Sequence, residues 1–226
     1  MRVAPWKYSY QAVRTAWILM RRRPSLLFVQ SPPSFVVMAA WMYTVVSGSR
    51  FVVDAHSGAF LSPHWERPRW LRRFLARRAL STIVTNERFA QQIRDWGGTA
   101  SVLRDIPTTF APGEALPRDD RFTVMVVSTF AADEPLDQTV EAAREVSDVH
   151  FYVTGNVKRA DPAVVARAPG NVDFTGFIPD DVYYGTMNAA DAVLCLTTRD
   201  NTMQRGACEA LSMGRPIITS DWELLR

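Results

Sequence analysis

Cysteine and histidine are scarce in this sequence: Cys195 and Cys208, and His56, His64 and His150, are all that 226 residues provide. Both cysteines sit in apolar stretches, which excludes a disulfide framework and fits small core residues in a reducing compartment. The histidines are scattered, with no metal-site spacing to either cysteine, so no bound metal is expected. Long apolar runs are missing as well. The longest, "SFVVMAAWMYTVVSGS" (34–49), has about a dozen apolar residues, whereas a membrane span needs about twenty. It reads as a buried or interfacial helix. Arg2 and Lys7 open the chain and mixed sequence follows, without the pattern of a secretory signal. A cytoplasmic location is the expectation.

What is present is apolar mass and lopsided charge. Hydrophobic residues make up 47%, enough for two small cores or one large one. The net charge of +3 hides an asymmetry. Residues 1–104 carry 16 basic and 4 acidic side chains, a net of +12; residues 105–226 carry 10 and 19, a net of −9. The first half is suited to an anionic partner such as a lipid surface. Two domains attracting each other would leave the same asymmetry.

Strand and helix patterns alternate along the chain. Helix is predicted over 8–22, from Tyr10, Val13, Trp17 and Met20, closed by Arg21-Arg22-Arg23-Pro24. Then come "LLFVQ" (26–30) as a strand, 34–47 as a helix, "RFVVDAHSG" (50–58) as strand then loop, and 67–80 as a basic helix. "TIVTN" (82–86), the helix 87–96 and "ASVLR" (100–104) complete the first half. "DIPTTFAPGEALPRDDR" (105–121) holds three prolines, a glycine and no periodicity, a linker signature. Strands at 122–129, 149–155, 171–177, 192–198 and 216–220 then alternate with helices at 135–147, 180–190 and 203–213. The expected fold is α/β: two doubly wound Rossmann-like domains facing a cleft, each incomplete, at residues 1–110 and 120–226. Ligands in such sheets bind at the carboxyl ends of the strands, which singles out loops 54–60, 128–135, 154–158 and 197–206.

The last helix raises a question of its own. Met203, Ala207, Ala210 and Leu211 form one apolar stripe, leaving Arg205 and Glu209 on the other face. Asn201 or Thr202 can cap its start, and the N–H groups at 202–205 would offer an anion site flanked by Arg199 and Arg205. Glu209, one to two turns on, could then accept from two ribose hydroxyls. Equally, Glu209 could be a solvated residue loosely paired with Arg205, an arrangement worth only about 0.3 kcal/mol.

"NTMQRGACEALSMGRPIITSD" (201–221) resembles the signature helix of family 4 glycosyltransferases of the GT-B fold. There, a Glu, seven residues and a second Glu precede a small-residue turn and an apolar strand. Glu209 falls on the second Glu, which the resemblance makes the ribose anchor of a nucleotide-sugar donor. Asn201 stands where the first Glu meets the transferred sugar. "GFIPDDVYYGTMNAADAVLCLTT" (176–198) and "FYVTGN" (151–156) match the approach to the donor, with Phe177 at the base and Gly155 and Asn156 near the phosphates. Thr202, Met203, Gln204, Arg205 and Gly206 belong to the same donor side. Many family members clamp the diphosphate with an Arg and a Lys. "VSTFAADEP" (127–135) offers Ser128, Thr129, Asp133 and Glu134 instead, leaving the phosphate charge to helix amides, Arg199 and Arg205. That segment, "VQSPPS" (29–34) and "VDAHSGAF" (53–60) are similar to β-mannosyltransferases acting on lipid-linked chitobiose. Relative to the family, the first strand with its Gly-rich loop and the closing helices are missing.

The resemblance implies a metal-independent, cofactor-free hexosyltransferase. It would take a UDP- or GDP-linked donor on the second domain and a glycan or lipid-linked acceptor of the cell envelope on the first. His56 follows a strand directly and would meet the transferred sugar or acceptor, with Asp54, Ser57 and Gly58 forming the turn around it; an ordinary loop histidine is the alternative. His64 and His150 lack such context. In 67–80, Trp70, Leu71 and Phe74 fall opposite Arg69, Arg72, Arg73 and Arg77. With Trp6, Trp17 and Trp41, that pattern suggests peripheral contact with the inner face of an anionic membrane. A solvated basic face is the alternative. No nucleic-acid fingerprint is present. A non-catalytic nucleotide-sugar or membrane-surface binding module remains the rival from another class.

Overall fold

The structure, a computed structural model, describes residues 5–63, 67–104 and 107–226, with the side chains of residues 5–9 and 12 outside the description. His64 and the Trp6 side chain therefore lie outside the described residues. The chain divides into two units, Met1–Arg104 and Asp105–Arg226.

Unit 1 opens with α1 (Pro5–Arg22) and continues through β1 (Leu26–Ser31), α2 (Ser34–Ser47), β2 (Arg50–Ala55) and a short α3 (Gly58–Leu61). It closes with α4 (Arg69–Ala76), β3 (Ser81–Val84), α5 (Glu87–Asp95) and β4 (Ala100–Val102). The strands are parallel, in the order β1-β2-β3-β4. Each step crosses the sheet in the same direction, so right-handed connections deliver α2, α4 and α5 to one face. Alternate strand residues Leu27, Val29, Phe51, Val53 and Val84 meet Val37, Leu75, Phe89 and Ile93 there. On β1 the other face is open, with Leu26 and Phe28 exposed.

Helix α4 departs from the predicted amphipathic pattern. It is shorter than 67–80, and Arg72, assigned to a solvated basic face, is buried. Its guanidinium lies 5.0 Å from the Phe60 ring centre and 4.9 Å from that of Trp96, while Trp70 points outward and is 70% exposed. Two aromatic faces attract a cation, and that environment exists only once α3 and α5 have packed. Of the apolar side read from spacing, Leu71 and Phe74 do pack against the core, half-buried, and Trp70 does not.

Unit 2 contains β5 (Phe122–Val127), α6 (Leu136–Glu145), β6 (Val149–Thr154), α7 (Pro162–Ala166) and β7 (Val172–Gly176). Then follow α8 (Asp180–Ala189), β8 (Ala192–Cys195), α9 (Arg205–Ser212) and β9 (Ile217–Thr219). The parallel order is β7-β6-β5-β8-β9. The chain winds outward from β5 to β7, then returns through α8 to place β8 on the other side of β5. Two cores result: Val124, Val126, Phe151 and Val153 pack with Ala143 on one face. Met125, Val193 and Cys195 pack with Met187, Ala207 and Ala210 on the other. The reversal between β5 and β8 is a topological switch point, where the flanking loops diverge and leave a crevice.

The Pro-rich segment after residue 106 is not a free tether. The Thr108 N–H donates to Ser212 Oγ (3.2 Å), the Gly113 N–H to the Asp181 carbonyl (3.0 Å) and the Leu116 N–H to Thr186 Oγ1 (3.0 Å). Prolines keep it from forming helix or ladder, and these three N–H groups bond to α8 and α9 instead. Gly185 makes this possible: a Cβ there would lie 2.5 Å from the Gly113 carbonyl oxygen.

Candidate functional site

At the carboxyl end of β5 the chain turns through Ser128 and Thr129, and Glu134 fixes that turn. Its carboxylate accepts from Ser128 Oγ (2.7 Å), the Thr129 N–H (2.7 Å), Thr129 Oγ1 (2.9 Å) and the Ala131 N–H (3.2 Å). Asp133, beside it, reaches the loop after β8: Thr197 Oγ1 donates to Oδ2 at 3.0 Å, and Arg199 Nη2 lies 3.0 Å from Oδ1. These acids spend their lone pairs on holding the two loops that border the switch point.

Helix α9 begins at Arg205, two residues later than its apolar spacing predicts. Its first turn sits hard against the sheet, because Gly206 presents no side chain: a Cβ would lie 2.6 Å from Val127 Cγ1 and 3.1 Å from Cys195 Sγ. The first N–H groups of a helix have no intrahelical acceptor, so this tip offers donors at the switch point. Ala207 and Ala210 are buried as expected, but Leu211 is exposed and Met203 lies before the helix.

Glu209 occupies neither the solvated position nor an unpartnered one. It is only 7% exposed. Oε2 accepts from the Tyr183 hydroxyl (2.9 Å), while Oε1 accepts from Arg205 Nε (2.7 Å) and the Tyr184 hydroxyl (3.4 Å). The two tyrosines come from α8, which packs beside α9. Burial, then the Glu209 charge, raises the pKa of Tyr183 far above the ordinary phenol value, and that of Tyr184 in the same direction. Both stay protonated donors. Arg205, 81% exposed at its side chain, has its pKa raised by its bond to Glu209. Burial, with Glu209 next, pushes the Cys195 thiol up to about 12, so it is a core group rather than a nucleophile.

A crevice of about 540 Å³ opens over these groups. Of the residues predicted to bind a donor, Ser128, Thr129, Gly155, Phe177, Thr202, Met203, Gln204, Arg205, Gly206 and Glu209 all line it. Phe177 is 85% exposed at its edge. Three predicted residues do not line it. Arg199 is held by Asp133, so its charge is already met. Asn156 accepts from the Lys158 N–H and caps a short turn. Asn201, buried with φ +58, takes its backbone bond from its own N–H to Asp200 Oδ1. Tyr183 and Tyr184 carried no assigned role in the sequence; only the packing of α8 on α9 brings them to Glu209.

The remaining predicted residues belong to unit 1. His56 follows β2, at the carboxyl edge as expected, with Nε2 3.1 Å from Gln30 Nε2 and 3.4 Å from Asp54 Oδ2. Ser57 and Gly58 lead into α3. Among the described residues there is no group of three or more His, Cys, Asp or Glu side chains placed to hold a metal.

Residues 1–109 match the family model for a glycosyl transferase 4-like domain, and residues 121–225 that for glycosyl transferases group 1. The α-D-kanosaminyltransferase of Streptomyces kanamyceticus is 24% identical over 80% of this chain and 55% of its own length. Among solved structures, Anabaena HepE in complex with UDP-glucose superposes with a TM-score of 0.67 at 14% identity, covering 93% of this chain and 63% of its own. A glycosyltransferase from Rickettsia africae superposes at 0.69 and 11% identity, covering 98% and 64%. The chain thus spans between about half and two thirds of the relatives it matches. With both halves matched by sequence and the α/β architecture shared with those structures, the chain belongs to the GT-B glycosyltransferases, a glycosyl transferase 4-like domain followed by a group 1 domain.

Proposed function

We propose that unit 2 binds a nucleotide-sugar donor in the crevice at the β5/β8 switch point, and that the protein transfers the sugar to a glycan or lipid-linked acceptor. The single observation that carries this reading is the convergence of ten donor-side residues on one crevice beneath the tip of α9. Glu209 would accept from the ribose hydroxyls, with Tyr183 and Tyr184 fixing the carboxylate, and Phe177 would lie against the base. That related structures hold UDP and UDP-glucose supports a nucleotide donor.

As the bond from sugar to diphosphate breaks, positive charge grows on the sugar and negative charge on the leaving group. Amides at the start of α9 and the Arg205 guanidinium are placed to meet the leaving-group charge. Arg199 has no part in this scheme, because it pairs with Asp133 and does not line the crevice. The reaction drawn this way uses no metal. His56, with Asp54, Ser57 and Gly58 around it, is assigned to the acceptor or transferred sugar. Glu209 supplies binding rather than proton transfer: of the roughly four acceptor sites on its carboxylate, Tyr183, Tyr184 and Arg205 use three, and the remaining capacity is left to the ribose.

The test is calorimetric titration of UDP and UDP-glucose into the protein and its Glu209→Ala variant. Loss of charged hydrogen bonds predicts affinity weaker by about 1–3 kcal/mol. Unchanged affinity in a folded variant would refute the assignment. Transfer or donor hydrolysis by the same protein separates an enzyme from a binding module.

A lipid surface is a further partner in this reading, through α4, where Trp70 is exposed beside Arg69 and Arg73, and through α1. Val13, Trp17 and Met20 are exposed on α1 beside Arg14, Arg21, Arg22 and Arg23. Exposed aromatic and aliphatic side chains among arginines suit an anionic interface. Among the described residues no helix is long and apolar enough to cross a membrane.

A further inference from the structure

We propose that Phe110, in the strap that leads into unit 2, is a positioning residue for the Glu209 carboxylate, so that the strap's seating sets nucleotide affinity. The proposal rests on the assignment of Glu209 to nucleotide binding made above.

The chain of contacts is short. The Phe110 ring stacks on the Tyr184 ring, with centroids 4.3 Å apart and planes 21° from parallel. The Tyr184 hydroxyl in turn donates to Glu209 Oε1. Tyr184 is also edge-on to Tyr183, at 5.1 Å and 77°, and Tyr183 donates to the other oxygen of the same carboxylate. One ring from the strap therefore buttresses the phenol that bonds Oε1 and, through it, touches the phenol that bonds Oε2.

The strap has little freedom to do otherwise. Thr108 is tied to Ser212, which lies one turn beyond Glu209 on the same helix, and Gly113 and Leu116 are tied to α8 on either side of Tyr184 and Gly185. The backbone at 113–114 lies so close to α8 that only glycine fits at 185. Phe110 lies in the chain between the anchors at Thr108 and Gly113, where its ring meets Tyr184. The strap thus spans α9 and α8, the two helices whose side chains hold the carboxylate.

A carboxylate that is already oriented loses less freedom when it grips a ligand than one that must first be ordered. Without the stacked ring, Tyr184 regains rotamer freedom, and Oε1 keeps only Arg205, whose side chain is largely in solvent. Weaker nucleotide binding follows with no change in any group that touches the nucleotide. One immobilised side chain corresponds to a change in Kd of about three- to tenfold.

The experiment is a calorimetric cycle with UDP on the 226-residue protein, its Phe110→Ala, Phe110→Tyr and Glu209→Ala variants, and the Phe110→Ala/Glu209→Ala pair. Thermal midpoints are measured alongside. The expected result is a three- to tenfold weaker Kd for Phe110→Ala, restoration by Phe110→Tyr, and no additional loss from Phe110→Ala when Glu209 is already alanine. If Phe110→Ala lowers the thermal midpoint enough to leave unfolded protein at the titration temperature, Phe110→Leu replaces it, keeping apolar volume without a stacking plane. Unchanged UDP affinity in a folded Phe110 variant, or an equal loss in both Glu209 backgrounds, would overturn the inference. If Glu209→Ala itself leaves UDP binding intact, the failure lies with the nucleotide assignment rather than with the strap.

Discussion

Replacing Gly206 by alanine sets two effects of known size against each other. An interior Gly→Ala change favours helix by about 1 kcal/mol, and by less in a first turn, where fewer backbone bonds depend on it. Against that stands the space available. The added Cβ would lie 2.6 Å from Val127 Cγ1 and 2.9 Å from Val127 Cβ, with Cys195 Sγ at 3.1 Å. Optimal carbon contacts fall at roughly 3.5–4.0 Å, so the overlap with Cγ1 is about 1 Å. Rotating Val127 moves Cγ1 but leaves its Cβ in the way, and Cys195 is fully buried. Helix α9 must therefore lift from the sheet, an overpacking strain of about 1–3 kcal/mol. The strain wins, and urea unfolding should show net destabilisation of about 1–2 kcal/mol. Lifting α9 also moves the amide donors and Glu209 together, so UDP affinity should fall in parallel. Val127→Ala removes Cγ1 but not Cβ and should restore part of both losses, giving a double mutant less impaired than the sum of the singles. A Gly206→Ala protein as stable as the parent, with unchanged UDP affinity, would refute the close packing of α9 on β5.

Tyr183→Phe should act through pH. Because burial and Glu209 raise the folded-state pKa of Tyr183, its contribution to stability is fully present below about pH 10, the unfolded phenol value. It is lost as pH rises beyond that, since the unfolded chain releases the proton and the folded one retains it. Alkaline unfolding followed by phenolate absorbance should start near pH 10 and be blunted in Tyr183→Phe; an identical profile in both proteins would exclude Tyr183 as its source. The α1 surface predicts co-sedimentation of the protein with phosphatidylserine vesicles, weakened by Trp17→Ser and by added salt, and absent with phosphatidylcholine alone. Equal binding to both vesicle types would count against an arginine-dependent contact.

Alternating helix and strand periods fixed the α/β class and the order of elements from the chain alone, because periods of 3.6 and 2 are local properties. The crevice loops were legible for the same reason: in a parallel sheet they must follow the carboxyl ends of strands. The identity of Glu209 as the acid of the last helix came from spacing too. Its environment did not. Whether it faced water or two phenols depended on how α8 lies against α9, a contact 25 residues distant in the chain. Arg199 and Arg72 show the same limit. In sequence one flanks a possible anion site and the other sits on a basic face, yet one pairs with Asp133 across a loop and the other is buried between two rings. The strap read as a structureless linker because proline and glycine signal only what a segment cannot form. Periodicity reports which face of an element is apolar. The partner that a charged or aromatic side chain meets is set by long-range packing, and the tertiary structure alone decided it.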